Sequence, residues 1–234
     1  MKFRHELKHL INYRDHALIR LKLQSLLPFD ANVDSDGSYM VRSLYFDDYY
    51  NTAYNDKYAG VQNRAKYRIR IYNLSDKTIN LEKKNKRGSF NHKQTARMTR
   101  EQVEGVLNGD YEVLLEGTTD NLLKIFYHEC VSKVLRPRVI VDYEREPYIM
   151  EAGDVRITFD KHIRAVVNSF DIFDADLPTV EVFGPGLLVL EVKFTEFLPH
   201  ILRKVLPSNA SDYLALSKFI LCCDKTLHLR QSHY

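Results

Sequence analysis

Four cationic side chains alternate with apolar ones along residues 64–72 of the chain. The cations are Arg64, Lys66, Arg68 and Arg70. Side chains two residues apart share one face of a β-strand, so this spacing predicts a strand with one fully cationic face. Like charges on one face repel one another, and such a face therefore predicts a binding surface for an anion.

The charged pattern continues along the next two segments. Residues 78–86 place polar side chains on one face and apolar side chains on the other. The polar set is Asn80, Glu82, Lys84 and Lys86, and the apolar set is Ile79 and Leu81. Residues 92–98 form a further predicted strand that carries Lys93 and Arg97. We therefore expect the cationic face to extend over neighbouring strands.

Alternation of the same kind recurs outside this region, and helical spacing separates the alternating segments. Further strands are predicted at residues 2–11, 41–47, 138–146, 155–160 and 187–194. Helices are predicted at residues 15–27, after the capping-box pair Thr99 and Gln102, at 121–135, at 197–205, and from Ser211 or Ser217 to Leu227. The order of these elements predicts an α+β fold.

About eight short antiparallel strands can close into a barrel, with the helices packed outside. We expect a closed or nearly closed barrel whose charged faces line a tunnel. The tunnel cations would be Lys8, Arg68, Arg70, Lys84, Arg145, Arg156 and Lys193, and the acids Glu6, Glu82 and Glu191. Burying so many ions without a ligand is unfavourable, so the tunnel would bind a polyanion. Arg64 and Lys66 are assigned to its rim. The alternative is an open sheet whose charged face meets water.

The overall charge balance excludes a globally basic, chromatin-like protein. The chain has 34 Lys and Arg against 31 Asp and Glu, for a net charge of +3 over 234 residues.

The three cysteines match neither a disulfide framework nor a zinc spacing. No run is apolar enough to cross a bilayer, and residues 1–6 lack a signal-peptide core. We expect the chain to form one domain over residues 1–234 and to lie in the cytoplasm. We expect it neither to bind nucleic acid nor to insert into a membrane, and any link to a membrane would come from a partner protein.

Eight short motifs, taken in order, resemble the VTC domain. They are Arg4-His5-Glu6-Leu7-Lys8, Ser43-Leu44-Tyr45-Phe46-Asp47, Lys66-Tyr67-Arg68-Ile69-Arg70-Ile71-Tyr72, Leu81-Glu82-Lys83-Lys84, Tyr143-Glu144-Arg145, Val155-Arg156-Ile157-Thr158-Phe159-Asp160, Leu190-Glu191-Val192-Lys193-Phe194 and Ser217-Lys218-Phe219. That domain is the catalytic module of eukaryotic polyphosphate polymerases and belongs to the CYTH-like triphosphate tunnel metalloenzymes. The resemblance covers nearly the whole chain.

The resemblance implies a role for each matching position. Those expected to act on the transferred phosphoryl group are Lys8, Arg68, Arg70, Arg145 and Arg156. Those expected to bind the rest of the phosphate chain are Lys84, Lys93, Tyr143, Lys193, Ser217 and Lys218. Arginine offers a planar fork and lysine a point charge to phosphate oxygens. The implied reaction moves the γ-phosphoryl group of ATP onto inorganic polyphosphate.

The resemblance also implies a divalent cation, Mn²⁺ or Mg²⁺. Glu191 matches the acidic position associated with the metal, and Glu82 and Glu6 are further candidates; such cations prefer oxygen ligands. CYTH-type enzymes begin with Glu-x-Glu-x-Lys, whereas this chain has Arg4 in place of the first glutamate. Fewer acids favour the polymerase branch. A hydrolase of triphosphate compounds and a non-catalytic polyphosphate-binding module stay open as alternatives.

Overall fold

Nine strands and six α-helices make up the described part of the chain. The computed structural model describes residues 5–27, 33, 36–88, 90–207 and 216–230. The strands are β1 His5–Asn12, β2 Tyr39–Asp47, β3 Arg64–Tyr72, β4 Ser75–Arg87, β5 Phe90–Met98, β6 Arg136–Met150, β7 Val155–Val166, β8 Thr179–Glu181 and β9 Leu187–Phe194. The helices are α1 Tyr13–Gln24, α2 Thr52–Tyr58, α3 Arg100–Asn108, α4 Asn121–Ser132, α5 His200–Val205 and α6 Lys218–Arg230. The predicted α+β class is confirmed.

The strands belong to one sheet with the order β1-β9-β7-β6-β2-β3-β4-β5, and β8 pairs with β7. Within the described residues this path has two ends, at β1 and β5, so the sheet is not closed by hydrogen bonds. Of the expected closed or nearly closed barrel, the large sheet is confirmed, whereas full closure by hydrogen bonds is not found in this part of the chain. Alternation fixes which face of a strand is charged, but closure depends on whether the two edge strands pair, and alternation carries no information about that.

The chain groups into two compact units. The first unit comprises residues 1–40, 143–163 and 181–217, and the second comprises 41–142, 164–180 and 218–234. Both units take residues from the middle of the chain, and the long strand β6 contributes to each. The prediction of a single domain over 1–234 stays a prediction.

The first unit buries the apolar faces of its strands under two helices. Ile157 and Phe159 of β7 and Leu190 of β9 lie in one core cluster with Leu23 of α1 and Leu202 of α5. These strand residues alternate with the charged ones, so packing of the helices on one face leaves the charged side chains on the other. Burial of each such leucine or phenylalanine contributes about 2 kcal/mol.

The second unit has a separate core of the same design. Leu44, Ile69 and Leu81, from β2, β3 and β4, pack against Val103 of α3 and Phe126 of α4. The predicted capping box of α3 is present, since the Thr99 hydroxyl accepts from the Gln102 backbone N–H and the Gln102 side chain accepts from the Thr99 N–H. Here too the apolar face is covered by helices that the spacing predicts.

Helix α6 lies on the opposite, charged face of the second unit. Its Phe219 ring lies 5.1 Å from the ring of Tyr45 on β2, and both it and Cys223 are buried. The hydroxyl of Tyr54 in α2 donates to Asp224 of α6 at 2.7 Å. The sequence predicts α6, although Ser211, one of its two proposed starts, lies outside the described residues. It does not predict α2.

Candidate functional site

The strands of the first unit bring charged residues of both signs onto one face. On β1, β6, β7 and β9 this face carries Glu6, Lys8, Arg145, Arg156, Asp160, Glu191 and Lys193. We call this set the balanced cluster, because it holds four cations and three carboxylates. The register places Glu191 directly opposite Lys8 of β1 on one side and Thr158 of β7 on the other.

Glu191 is the centre of the balanced cluster. Its carboxylate lies 3.1 Å from the Lys193 ammonium, 3.7 Å from that of Lys8 and 3.6 Å from the Arg145 guanidinium. The Glu191 side chain is only 6% exposed. Lys8 also contacts Glu6 at 2.9 Å. The sequence-predicted residues Glu6, Lys8, Arg145, Glu191 and Lys193 are therefore brought together.

A buried ion pair holds Arg145 in place. Its guanidinium donates to both carboxylate oxygens of Asp160, at 2.7 and 2.8 Å, and Asp160 is fully buried. Burial opposes the charge on Arg145, but Asp160 outweighs it and raises the pKa of the guanidinium well above its usual value. The guanidinium also lies over the buried ring of Tyr143, 5.1 Å from its centroid. Sequence reasoning gave Asp160 no role, although it alternates with Arg156 on the charged face.

The other predicted residues of the first unit lie around these pairs. Arg156 donates to the Tyr39 hydroxyl at 3.1 Å, and it stands directly opposite Lys193. Burial lowers the pKa of Lys193, and Glu191 offsets part of this effect. Lys8 donates to the carbonyl of Leu216 at 3.2 Å. Ser217 follows Leu216 directly, at the end of the first unit.

The donors in the balanced cluster suit a hard cation. Its three carboxylates offer oxygen ligands, and the Thr158 hydroxyl opposite Glu191 is buried and has no hydrogen-bond partner in the described part of the chain. Within those same residues, no group of three His, Cys, Asp or Glu side chains is placed to hold a metal ion. The assignment of Glu6, Glu82 and Glu191 as metal ligands stays a prediction.

The charged face of the second unit is almost entirely cationic. On β3, β4 and β5 the charged residues of this face are Arg64, Lys66, Arg68, Arg70, Glu82, Lys84, Lys86, Lys93 and Arg97. We call this set the cationic cluster, since it holds eight cations and one carboxylate. Lys218, the first residue of α6, belongs to the same unit.

Glu82 neutralises part of the cationic cluster. Its carboxylate accepts from Arg68 at 2.6 Å and from Lys93 at 2.9 Å, and its side chain is 3% exposed. Burial alone would raise the pKa of Glu82, but Arg68, Arg70 and Lys93 outweigh burial and hold it at about 2. Glu82 is therefore ionised at neutral pH and is strongly engaged by the predicted cations.

Two hydroxyl groups of β2 orient the arginines. The Nε of Arg70 donates to the Ser43 hydroxyl at 2.9 Å, and Nη1 of Arg68 donates to the Tyr45 hydroxyl at 2.9 Å. The register places Ser43 opposite Arg70 and Tyr45 opposite Arg68. Sequence reasoning quoted both residues in a motif but gave them no role in the site. Their alternation along β2, together with the pairing of β2 with β3, could have identified both residues as part of the site.

The chain is similar to known proteins both in its sequence profile and in its fold. The sequence profile of the VTC domain matches residues 3–227. No curated protein sequence matches the chain significantly. Among solved structures, HpAC1 from Hippeastrum, a protein with a dominant triphosphatase activity, is similar over 97% of this chain and 97% of its own, with 14% identity and a TM-score of 0.55.

A second similar structure is PH1819 from Pyrococcus horikoshii OT3. It covers 95% of this chain and 99% of its own length, with 14% identity and a TM-score of 0.49. At this identity the likeness to HpAC1 is a likeness of fold. The expected membership of the VTC family is confirmed. No helix of the described residues is both long enough and apolar enough to span a membrane.

Proposed function

The chain belongs to the VTC domain family, and on that basis we propose that it transfers the γ-phosphoryl group of ATP to a growing inorganic polyphosphate chain inside a cation-lined tunnel. The observation that carries the proposal is the cationic cluster, where one face of β3–β5 presents eight cations and a single carboxylate. An ATP molecule and a polyphosphate end repel each other, so bringing them together requires this kind of neutralisation.

Each cluster has its own part in the proposed reaction. In the cationic cluster, Arg68 and Arg70 hold phosphate oxygens through their planar forks while Lys84 and Lys93 act as point charges. The attacking group is an ionised phosphate oxygen, so no general base is required. Catalysis then consists of alignment and charge stabilisation. Ser43 and Tyr45 fix the two arginines before substrate arrives.

The balanced cluster supplies the proposed divalent-metal site. Mg²⁺ and Mn²⁺ are commonly held by one or two carboxylates together with substrate phosphates, and Glu191 with Glu6 would provide them. When bound, the cation would neutralise charge on the phosphates. Lys8, Arg145 and Lys193 already contact Glu191, so they would orient that carboxylate and contact phosphate from the same side. Tyr143, Arg156, Ser217 and Lys218 are proposed as further phosphate contacts.

A second candidate function is hydrolysis of tripolyphosphate or a nucleoside triphosphate. The observation that favours it is the likeness of fold to HpAC1, a protein with triphosphatase activity. The two reactions share the electrophile and differ in whether phosphate or water attacks.

The experiment that separates the functions uses purified protein with γ-labelled ATP, with and without Mn²⁺. Acid-insoluble labelled polyphosphate with ADP is expected, whereas labelled orthophosphate alone would support the hydrolase. Tight, metal-independent binding without turnover would support a binding module. Glu191→Gln is expected to reduce metal-dependent turnover by about 100-fold or more. The matched control, Glu116→Gln at an exposed position, is expected to keep full activity.

A further inference from the structure

A buried threonine of β7 lies on the same face as the balanced cluster. Ile157 and Phe159, the residues on either side of Thr158, pack into the core of the first unit. Successive side chains of a strand point to opposite faces, so Thr158 points to the charged face, between Arg156 and Asp160. Thr158 is only 3% exposed. A neutral hydroxyl is therefore buried in the middle of the charged face.

The Thr158 hydroxyl has no hydrogen-bond partner among the residues that the structure describes. Its neighbours on the face are both held, since Arg156 donates to the Tyr39 hydroxyl and Asp160 accepts two hydrogen bonds from Arg145. A buried hydroxyl without a partner is unfavourable, because it has lost its hydrogen bonds to water. Valine has the same shape without the hydroxyl and favours strands equally well. Folding alone therefore does not explain the threonine, and its hydroxyl indicates a bound group.

The residue directly opposite Thr158 on β9 is Glu191. Side chains directly opposite one another on paired strands have Cβ atoms about 5 Å apart. Oxygen ligands lie about 2.1 Å from Mg²⁺, so a hydroxyl and a carboxylate at this separation can reach one ion between them. Contacts with Lys8, Arg145 and Lys193 orient the Glu191 carboxylate. The buried hydroxyl thus lies next to an acid whose position is already fixed.

A divalent cation suits this pair of oxygens better than a phosphate does. The Glu191 carboxylate repels an anion, whereas hydroxyl and carboxylate oxygens are both ligands of hard cations. In P-loop nucleotide hydrolases, a serine or threonine hydroxyl and an acid together hold Mg²⁺. Lys8, Arg145 and Lys193 repel a free metal ion, so we expect the cation to bind together with phosphates, which neutralise these three residues.

We propose that the Thr158 hydroxyl is an oxygen ligand of the divalent cation that binds beside Glu191. This inference rests on the proposed function, because the cation is the one that the proposed reaction uses. Thr158 adds a neutral ligand from β7 to the carboxylates that β1 and β9 provide. Loss of its hydroxyl then weakens the binding of phosphate in the presence of the metal and leaves metal-free binding unchanged.

The test measures the affinity for inorganic tripolyphosphate by calorimetry, once with excess Mn²⁺ and once with EDTA in place of the metal. We expect Mn²⁺ to strengthen binding to the wild-type protein. With Mn²⁺, Thr158→Val should bind about tenfold more weakly than wild type, a loss typical of a damaged metal site. With EDTA the two proteins should bind equally. Thr158→Ser keeps the hydroxyl and should restore the affinity of the wild type with Mn²⁺.

Thr195→Val is the matched control, because it removes a hydroxyl that does have a partner. The Thr195 hydroxyl donates to the carbonyl of Gly153 at 3.1 Å. This variant should therefore unfold at a lower denaturant concentration than wild type, while Mn²⁺ strengthens its binding of tripolyphosphate as in wild type. Thr158→Val should show the reverse. In metal-free buffer it should unfold no earlier than wild type, because the hydroxyl that it lacks has no partner in the described residues.

The outcomes separate this inference from the proposed function. Equal weakening of Thr158→Val with Mn²⁺ and with EDTA would mean that the hydroxyl contacts phosphate instead of the metal. Affinity equal to that of wild type under both conditions would mean that the hydroxyl holds no more than a buried water. Either result overturns the assignment of Thr158 and leaves the proposed function standing. If the wild-type protein does not bind tripolyphosphate at all, the proposed function is wrong and this inference falls with it.

Discussion

The balanced and cationic clusters are built on the same kind of strand face but differ in charge. The balanced cluster pairs four cations with three carboxylates, and its central contacts are the Arg145–Asp160 ion pair and the lysines around Glu191. The cationic cluster has eight cations and only Glu82 as an acid. The first therefore neutralises most of its own charge, whereas on the face of the second cations outnumber carboxylates by eight to one.

This difference suggests that the two clusters have different roles. A cluster whose charges satisfy one another stabilises the folded chain and keeps its carboxylates oriented, which suits a metal site. A cluster of like charges destabilises the folded chain until an anion binds, which suits substrate binding. Substitutions in the balanced cluster should then lower the free energy of unfolding, whereas removal of a cation from the cationic cluster should weaken binding of the anion.

The largest effect is expected for Asp160→Asn in the balanced cluster. Removing this carboxylate takes away the bidentate partner of the buried Arg145 guanidinium, which keeps the longer 3.6 Å contact with Glu191, and we expect the free energy of unfolding to fall by about 3–5 kcal/mol. Chemical denaturation measures this change. The exposed Asp110→Asn should change it by less than about 0.5 kcal/mol. Comparable stability of the two variants would mean that the balanced cluster does not hold the fold together.

The next effect concerns Glu82, the one acid of the cationic cluster. Its pKa of about 2 in the folded chain lies below the usual 4.5, so its contribution is present above pH 4.5 and is lost as the pH falls toward 2. At pH 7, Glu82→Gln should lower the free energy of unfolding by about 3 kcal/mol.

Denaturation of wild type and Glu82→Gln at several pH values checks this expectation. The difference in stability should shrink steadily between pH 4.5 and pH 2. The exposed Glu116→Gln should show no comparable trend. A difference that stays constant down to pH 2 would show that Glu82 is not held ionised by its neighbours.

A smaller effect is expected for Arg70→Gln, and in binding rather than stability. Arg70 donates to a neutral partner, Ser43, and the buried Glu82 carboxylate, whose ionised form Arg70 favours, keeps its direct contacts with Arg68 and Lys93 when Arg70 is removed. We expect the dissociation constant for tripolyphosphate to rise about tenfold, with the unfolding free energy changed by less than about 1 kcal/mol. Calorimetry and denaturation measure the two quantities, and the exposed Arg14→Gln is the control. Loss of stability without loss of affinity would contradict the separation of roles.

The smallest net effect is expected for Lys66→Met in the absence of ligand, because the substitution removes an unfavourable buried charge but also the favourable contact of that charge with the Phe219 ring. The pKa of Lys66 lies below its ordinary value in the folded chain, so between about pH 7 and 10.5 the unfolded chain binds a proton that the folded chain lacks. The free energy of unfolding therefore rises with pH over this range. Below pH 7 the full destabilisation by the charged Lys66 is present.

Replacing Lys66 by an apolar residue should then raise the melting temperature by a few degrees at pH 6 and by less at pH 9. Thermal unfolding at the two pH values measures this, with Lys77→Met as the control expected to show no change. A lower melting temperature at pH 6 would mean that Lys66 stabilises the resting cationic cluster.

Much of the fold follows from local patterns. Period-two alternation predicted β9 over its observed length and placed Glu191 and Lys193 on the face where they meet Lys8. The apolar stripes likewise predicted the helices that cover each core. These elements are predictable because burial of one face determines the side-chain period.

Other features depend on tertiary contacts that have no local signature. Asp160 has its role because it binds Arg145 on the neighbouring strand. Tyr45 packs against Phe219 of α6, a helix that is distant from it in sequence. Helix α2 has no buried residues, so no apolar stripe marks it in the sequence. The closed or nearly closed barrel was expected from strand number alone, which does not determine closure.

The pairing of β1 with β9 also has a consequence for the order of folding. Nearly the whole chain separates His5 from its partner Phe194, whereas β3, β4 and β5 follow one another within residues 64–98. Contacts between distant residues carry a larger loop-closure entropy and form late. During synthesis the cationic face can therefore assemble from neighbouring hairpins, while Glu6 and Lys8 stay without Glu191 until the last strand leaves the ribosome.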